Sequence, residues 1–148
     1  MNDISGQTPT VTPPETNSVM LSLLAAAHAI EARLEQGLAS VGLSSAKHAV
    51  LSQLAQAREP LTLSELASRV CCARSNMTQL VDRLEAEGLV KRIDDSGDRR
   101  VVRAAITSLG EERQAAGADR VRQIQSVFAA GLRESDRAAL ERALAALK

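Results

Sequence analysis

The stretch PLTLSEL, residues 60–66, leaves the backbone little choice. Pro60 ends any helix before it, because it lacks an N–H and disfavours helical geometry in the preceding residue. Thr62 is a good N-cap, and Glu65 three positions on completes a capping box. The threonine hydroxyl takes the Glu65 amide while the carboxylate reaches back to the Thr62 amide. Leu61 and Leu66 fill the hydrophobic-staple positions on either side. A short helix from Leu63 to about Val70 must therefore begin here. After a break at Cys71, Cys72 and Ala73, a second helical pattern runs from about Arg74 to Glu87, and Gly88 closes it. Two short helices joined by so brief a break form a helix-turn-helix.

The flanking pattern is mostly helical. From Ser18 to Val41, apolar residues recur at helical spacing (Met20, Leu23, Leu24, Ala27, Ile30, Leu34 and Leu38), with Gly42 just past the end. A helix opening at Ser44–Ser45 carries Val50, Leu51 and Leu54 and ends near Arg58–Glu59. After Gly88, LVKRIDDSGDRRVVRAAIT places strand-like residues on both sides of an Asp, Ser and Gly loop, which predicts a β-hairpin. Ser108 with Glu111 reads as a second capping box, opening a helix from about Leu109 to Ala130 with Val121, Ile124, Val127 and Phe128 as its stripe. Ser135 is the expected cap of a last helix bearing Leu140, Leu144 and Leu147. Phe128 is the one aromatic residue of the chain, so the core must be aliphatic. The expected fold class is mainly α (α+β): a winged helix-turn-helix with a two-stranded hairpin wing and an all-helical remainder.

Residues 1–17 hold three of the four prolines and are expected to be a disordered tail. They lack the basic start and apolar stretch of a secretory signal. No apolar run is long enough to span a membrane, so the expectation is a cytoplasmic protein with reduced cysteines. Residues 18–148 are expected to be a single domain. Its reading head would be 61–107, and its helical body 18–41 and 108–148.

On a helical wheel, Met77, Leu80, Val81 and Leu84 gather on one side of the second short helix. Ser75, Gln79, Asp82, Arg83 and Ala86 lie opposite, with Arg74, Asn76 and Thr78 on the flanks. Ser, Asn and Gln can hydrogen-bond base edges, Arg can pair with guanine or phosphate, and a helix N-terminus favours phosphate. A solvated face would look the same in isolation, so its surroundings decide. Arg99 and Arg100 lie in the hairpin loop, with Lys91, Arg92 and Arg103 on its strands. The chain is formally neutral, with 18 basic and 18 acidic residues. Placement, not net charge, therefore points to nucleic acid. An arginine-bearing hairpin beside such a helix can reach the minor groove.

The segments LTLSELASRV and SNMTQLVDRLEAEGLVKRIDDSGDRRVVRAAITSLG resemble the MarR (multiple antibiotic resistance regulator) family of winged helix-turn-helix transcriptional regulators. The resemblance covers about residues 18–148. It implies a homodimer whose first helix and last two helices interlock, bound to a palindromic double-stranded DNA operator. The usual role is repression, released by a small effector or by cysteine oxidation. Carried over by position, the DNA-binding candidates are Arg74, Ser75, Asn76, Thr78, Gln79 and Arg83 on the recognition helix. On the wing they are Asp98, Arg99 and Arg100, with Arg99 for minor-groove insertion and Asp98 to orient an arginine. Leu140, Leu144 and Leu147 are candidate interface residues. One departure is Ala73, where the family often places a capping serine.

Cys71 and Cys72 leave two readings open. Cys72 falls where the turn buries an aliphatic residue, and cysteine packs as a small hydrophobe. Cys71 falls at the more exposed position, between Arg69 and Arg74 and near a helix N-terminus, a setting for redox or thiol sensing. Neighbouring Cα atoms stand about 3.8 Å apart, whereas disulfides prefer roughly 4.4–6.8 Å, so a Cys71–Cys72 bond would distort the turn. A disulfide between two recognition helices is disfavoured by half-sites about 34 Å apart. His48 is a candidate for an effector pocket, since the family's first two helices help to wall one.

No catalytic signature is present: there is no P-loop, GxGxxG, GxSxG or HExxH. The two histidines and two cysteines lack a zinc spacing, and no metal or cofactor is expected. The rival to a DNA reader is a winged-helix protein-interaction module.

Overall fold

The structure, a computed structural model, describes residues 16–94 and 101–147. By its internal contacts the chain divides into two compact units, Met1–Ala32 and Arg33–Lys148. In the first unit, residues 16–32 are helical and belong to α1 (Thr16–Ala39). Of the tail expected over 1–17, residues 1–15 lie outside the described residues, while Thr16 and Asn17 already belong to the helix.

In the second unit the last turns of α1 are followed by α2 (Ser45–Ala57), β1 (Leu61–Thr62), α3 (Leu63–Val70), α4 (Arg74–Ala86), β2 (Val90–Asp94), β3 (Val102–Ile106), α5 (Ser108–Ala130) and α6 (Glu134–Ala145). Gly42, at a φ of 72° that suits glycine, turns the chain after α1. Ser44 caps α2 by accepting the Lys47 amide, and Glu35 accepts the Ser45 amide at 2.8 Å. The core is aliphatic, as the composition requires. Leu38, Leu43, Val50, Leu51, Leu54, Leu61, Leu66, Met77, Val81, Leu84, Leu89, Val90 and Ala104 are all buried. Each fully buried Leu or Val contributes about 1.5–3 kcal/mol over an exposed one.

The hairpin forms with Val90 opposite Ile106 and Asp94 opposite Val102. A third strand, unforeseen from sequence, joins it. β1 pairs antiparallel with β3, Leu61 opposite Ala104, giving the order β1-β3-β2. Leu61 therefore staples α3 and also enters the sheet.

Two caps differ from expectation. Thr107, not Ser108, caps α5: its Oγ1 accepts the Gly110 amide at 3.0 Å and donates to the Gly88 carbonyl at 2.7 Å. That second bond selects the earlier hydroxyl. Ser135 lies inside α6, whose N-cap position is Arg133. The Arg133 guanidinium pairs with Asp136 one turn on (2.7 Å), and the acidic first turn suits the helix dipole. The α5 stripe divides along its length, with Val121 and Ile124 half-buried and Val127 and Phe128 exposed.

Candidate nucleic-acid interface

The Thr62–Glu65 capping box is complete. Glu65 Oε2 accepts the Thr62 amide at 2.7 Å, and Thr62 Oγ1 accepts the Glu65 amide at 3.2 Å. The Thr62 amide, then its hydroxyl, hold the Glu65 carboxyl below its ordinary value. Buried Leu66 and Ala67 seat α3 on the core.

α3 ends with Cys71 in the left-handed region, at φ 56° and ψ 44°. The Cys71 amide donates to Ser68 and the Cys72 amide to Ala67, closing the helix end. Cys72 is half-buried and packs against the core, while Cys71 is exposed. Among the described residues, the other non-glycine at positive φ is Arg58, at the end of α2.

α4 starts at Arg74 with Ala73 as N-cap, and no side chain caps it. The departure noted at Ala73 therefore leaves the helix start in place but without its hydroxyl bond. Met77, Val81 and Leu84 are buried, which fixes the face the helix turns outward. Arg74, Ser75, Asn76, Thr78, Gln79, Asp82 and Arg83 are all exposed. The Thr78 hydroxyl donates to the Arg74 carbonyl at 3.2 Å, so its proton is used within the helix. Outward from the helix, Thr78 offers its methyl group and an acceptor lone pair.

Asp98, Arg99 and Arg100 lie outside the described residues. On the strands, the basic residues do not act alike. Lys91 is exposed. Arg92 instead turns to α4, where its amide donates to Glu85 Oε1 at 3.1 Å and its guanidinium to Glu85 Oε2 at 2.6 Å. The other guanidinium nitrogen pairs with Asp82. Arg103 approaches Glu65 at 3.8 Å and the Pro60 carbonyl at 3.4 Å. Sequence reasoning counted Arg92 and Arg103 toward a basic surface and missed these pairings. Strand alternation carried the signal for Arg92, since it shares a face with buried Val90.

His48 is half-buried on α2, and its Nε2 has no hydrogen-bond partner among the described residues. The imidazole lies against Gly117 of α5, where a Cβ would collide with it. Burial holds its pKa below the ordinary 6.5, favouring the neutral ring. Two surface concavities are lined by other residues. One, of about 260 Å³, lies among Leu54, Arg58, Pro60, Ile106 and Glu111; the second lies among Val41, Leu109, Arg113 and Ala116. His48 lines neither. Among the described residues, no group of three or more His, Cys, Asp or Glu is placed to hold a metal ion, and no helix is long and apolar enough to cross a membrane.

Residues 43–102 match the sequence model of the MarR family. The chain is 41% identical over 51 residues to the HTH-type transcriptional regulator YsmB of Bacillus subtilis, covering 34% of this chain and 35% of that protein. It is 30% identical over 95 residues to the HTH-type transcriptional repressor MdtR of the same organism, covering 64% of this chain and 61% of MdtR. The chain thus spans between about a third and three fifths of these relatives. The crystal structure of the transcriptional regulator BldR from Sulfolobus solfataricus superposes with a TM-score of 0.71 at 28% identity, over 90% of this chain and 94% of BldR.

Proposed function

We propose that this chain, whose residues 43–102 match the MarR family model and which is similar to MdtR and BldR, is a MarR-family protein: a cytoplasmic, sequence-specific double-stranded DNA-binding repressor of transcription. It acts as a homodimer on a palindromic operator. Residues 18–41 and 108–148 form the dimer body, and 61–107 the reading head. The relatives named above are regulators of transcription rather than enzymes.

The observation that carries this reading is the division of α4. Its apolar side packs into the core, which leaves Ser75, Asn76, Thr78 and Gln79, flanked by Arg74 and Arg83, exposed on the outward side. Those side chains match base edges and phosphates. On the wing, Arg99 enters the minor groove and Asp98 orients an arginine, with Arg100 a further DNA-binding candidate.

Release follows modification of the Cys71 thiol. Its exposure and its place in the turn that launches α4 support that route over an effector at His48, whose ring faces α5. Oxidation to a sulfenic acid or a mixed disulfide there would add bulk at the turn.

Selection from a random double-stranded library, followed by anisotropy titration, tests the reading. The expected result is a palindromic site bound tightly and salt-dependently. Binding should weaken on oxidation, recover on reduction, and resist oxidation in Cys71→Ser. Absence of any DNA affinity would assign the winged helix to protein recognition instead.

A further inference from the structure

We propose that Arg92 is a positioning residue for DNA reading, fixing wing strand β2 on recognition helix α4 through Asp82 and Glu85. The inference rests on the DNA-binding reading above.

β2 is an edge strand, paired with β3 on one side only. On its open edge, the Arg92 amide meets a side chain instead of another strand, donating to Glu85 Oε1 at 3.1 Å. The guanidinium of the same residue then takes Glu85 Oε2 at 2.6 Å and, with its other terminal nitrogen, Asp82. Asp82 and Glu85 are three residues apart and so share one side of α4. One residue of the wing thus makes three bonds to one side of the recognition helix. A bidentate, planar guanidinium holds angle as well as distance, which a lysine ammonium does not.

This joint lies between the two parts that must meet DNA together. Asp82 adjoins Arg83 and lies one turn beyond Thr78 and Gln79 on the exposed side of α4. Lys91 is exposed on the strand that Arg92 anchors. The Arg92 amide, and then its guanidinium, keep the Glu85 carboxyl below its ordinary value, so the acceptor stays ionised.

A positioning residue and a phosphate-binding residue give opposite signatures. Removing a phosphate-binding side chain weakens all sequences alike and makes the salt dependence shallower by about one unit. Removing a positioning side chain weakens the specific site alone, because only that site needs helix and wing in register.

The test uses the full chain and two probes, the duplex recovered by selection and the same duplex scrambled. Both are titrated across salt concentrations with Arg92→Met, Arg92→Lys and the double variant Asp82→Asn with Glu85→Gln. The expected result is roughly tenfold or greater loss on the selected duplex for Arg92→Met. The scrambled duplex and the salt slope should stay unchanged, with Arg92→Lys intermediate. The double variant removes the joint from the other side and should lose selectivity too, while its scrambled-duplex affinity holds or rises. Parallel loss on both duplexes with a shallower slope would make Arg92 a phosphate-binding residue and overturn the proposal. So would an unchanged selectivity ratio in both Arg92→Met and the double variant. Should Arg92→Met fail to fold, the double variant alone decides. Failure of the wild-type chain to prefer any duplex would sink the DNA-binding reading itself, and this inference with it.

Discussion

Thr107 donates its hydroxyl to the Gly88 carbonyl at 2.7 Å, joining the first residue before α5 to the turn that ends α4. The same oxygen accepts the Gly110 amide, and the Thr107 amide donates to the Leu89 carbonyl at 3.1 Å. Gly110 is buried against that carbonyl, where a Cβ would not fit. The start of α5 is therefore bonded directly to the exit of the recognition helix. Thr107→Val should lower unfolding stability by about 1–2 kcal/mol, the cost of a lost cap. Thr107→Ser should retain most of it. Denaturant melts of the two variants check the difference.

Cys71 occupies a backbone conformation that favours glycine. Cys71→Gly should therefore raise stability, by up to about 1 kcal/mol, despite the greater freedom of glycine in the unfolded chain. Cys71→Val, β-branched in the left-handed region, should lower it. A loss of stability in Cys71→Gly, read from the shift in urea midpoint, would show that the thiol makes a packing contribution larger than the relieved strain.

The pH dependence should have two windows of the same sign. The His48 pKa is depressed by burial below 6.5, so the unfolded chain binds that proton first. The associated stability is present above about pH 6.5 and is lost as the pH falls toward the depressed folded value. The Glu65 pKa is depressed by the Thr62 amide below 4.5. Its contribution is present above that value and is lost on further acidification through the folded pKa. Melts from pH 8 to pH 3 should show stability falling in both ranges. The upper fall should be missing in His48→Gln and the lower one reduced in Glu65→Gln.

Leu144 on α6 and Phe128 on α5 are each exposed, which leaves apolar surface uncovered on this chain. If that surface is the dimer interface, Leu144→Asp should yield monomers in sedimentation velocity with the helical content retained. A dimer in that variant would move the interface elsewhere.

Most of the fold was legible because local chemistry fixes it. The Thr62–Glu65 box, Gly42, Ser44 and Gly88 each mark a boundary that neighbouring residues decide alone. The features missed depend on distant partners. β1 is two residues long and exists because Ala104 of β3 lies opposite Leu61. Ser108 is by type the better cap, but the Gly88 carbonyl, bonded by the Thr107 hydroxyl, selects Thr107. Within the site, the exposed side of α4 followed from helical periodicity. Arg92 was misassigned because charge was counted before strand alternation was applied. Asp82, placed on the outward side of the wheel, and Glu85 are its partners.

The central claim is that the exposed side of α4 reads base sequence, and Gln79 tests it most directly. It is exposed and lies opposite the buried stripe, so Gln79→Ala should leave folding intact. Anisotropy titrations of wild type and Gln79→Ala should be run on the selected duplex and on versions carrying every single-base change. The account predicts a loss of about 1–3 kcal/mol on the selected site, confined to one position of each half-site where the variant no longer discriminates. Unchanged discrimination at every position would contradict the assignment of this face to base reading.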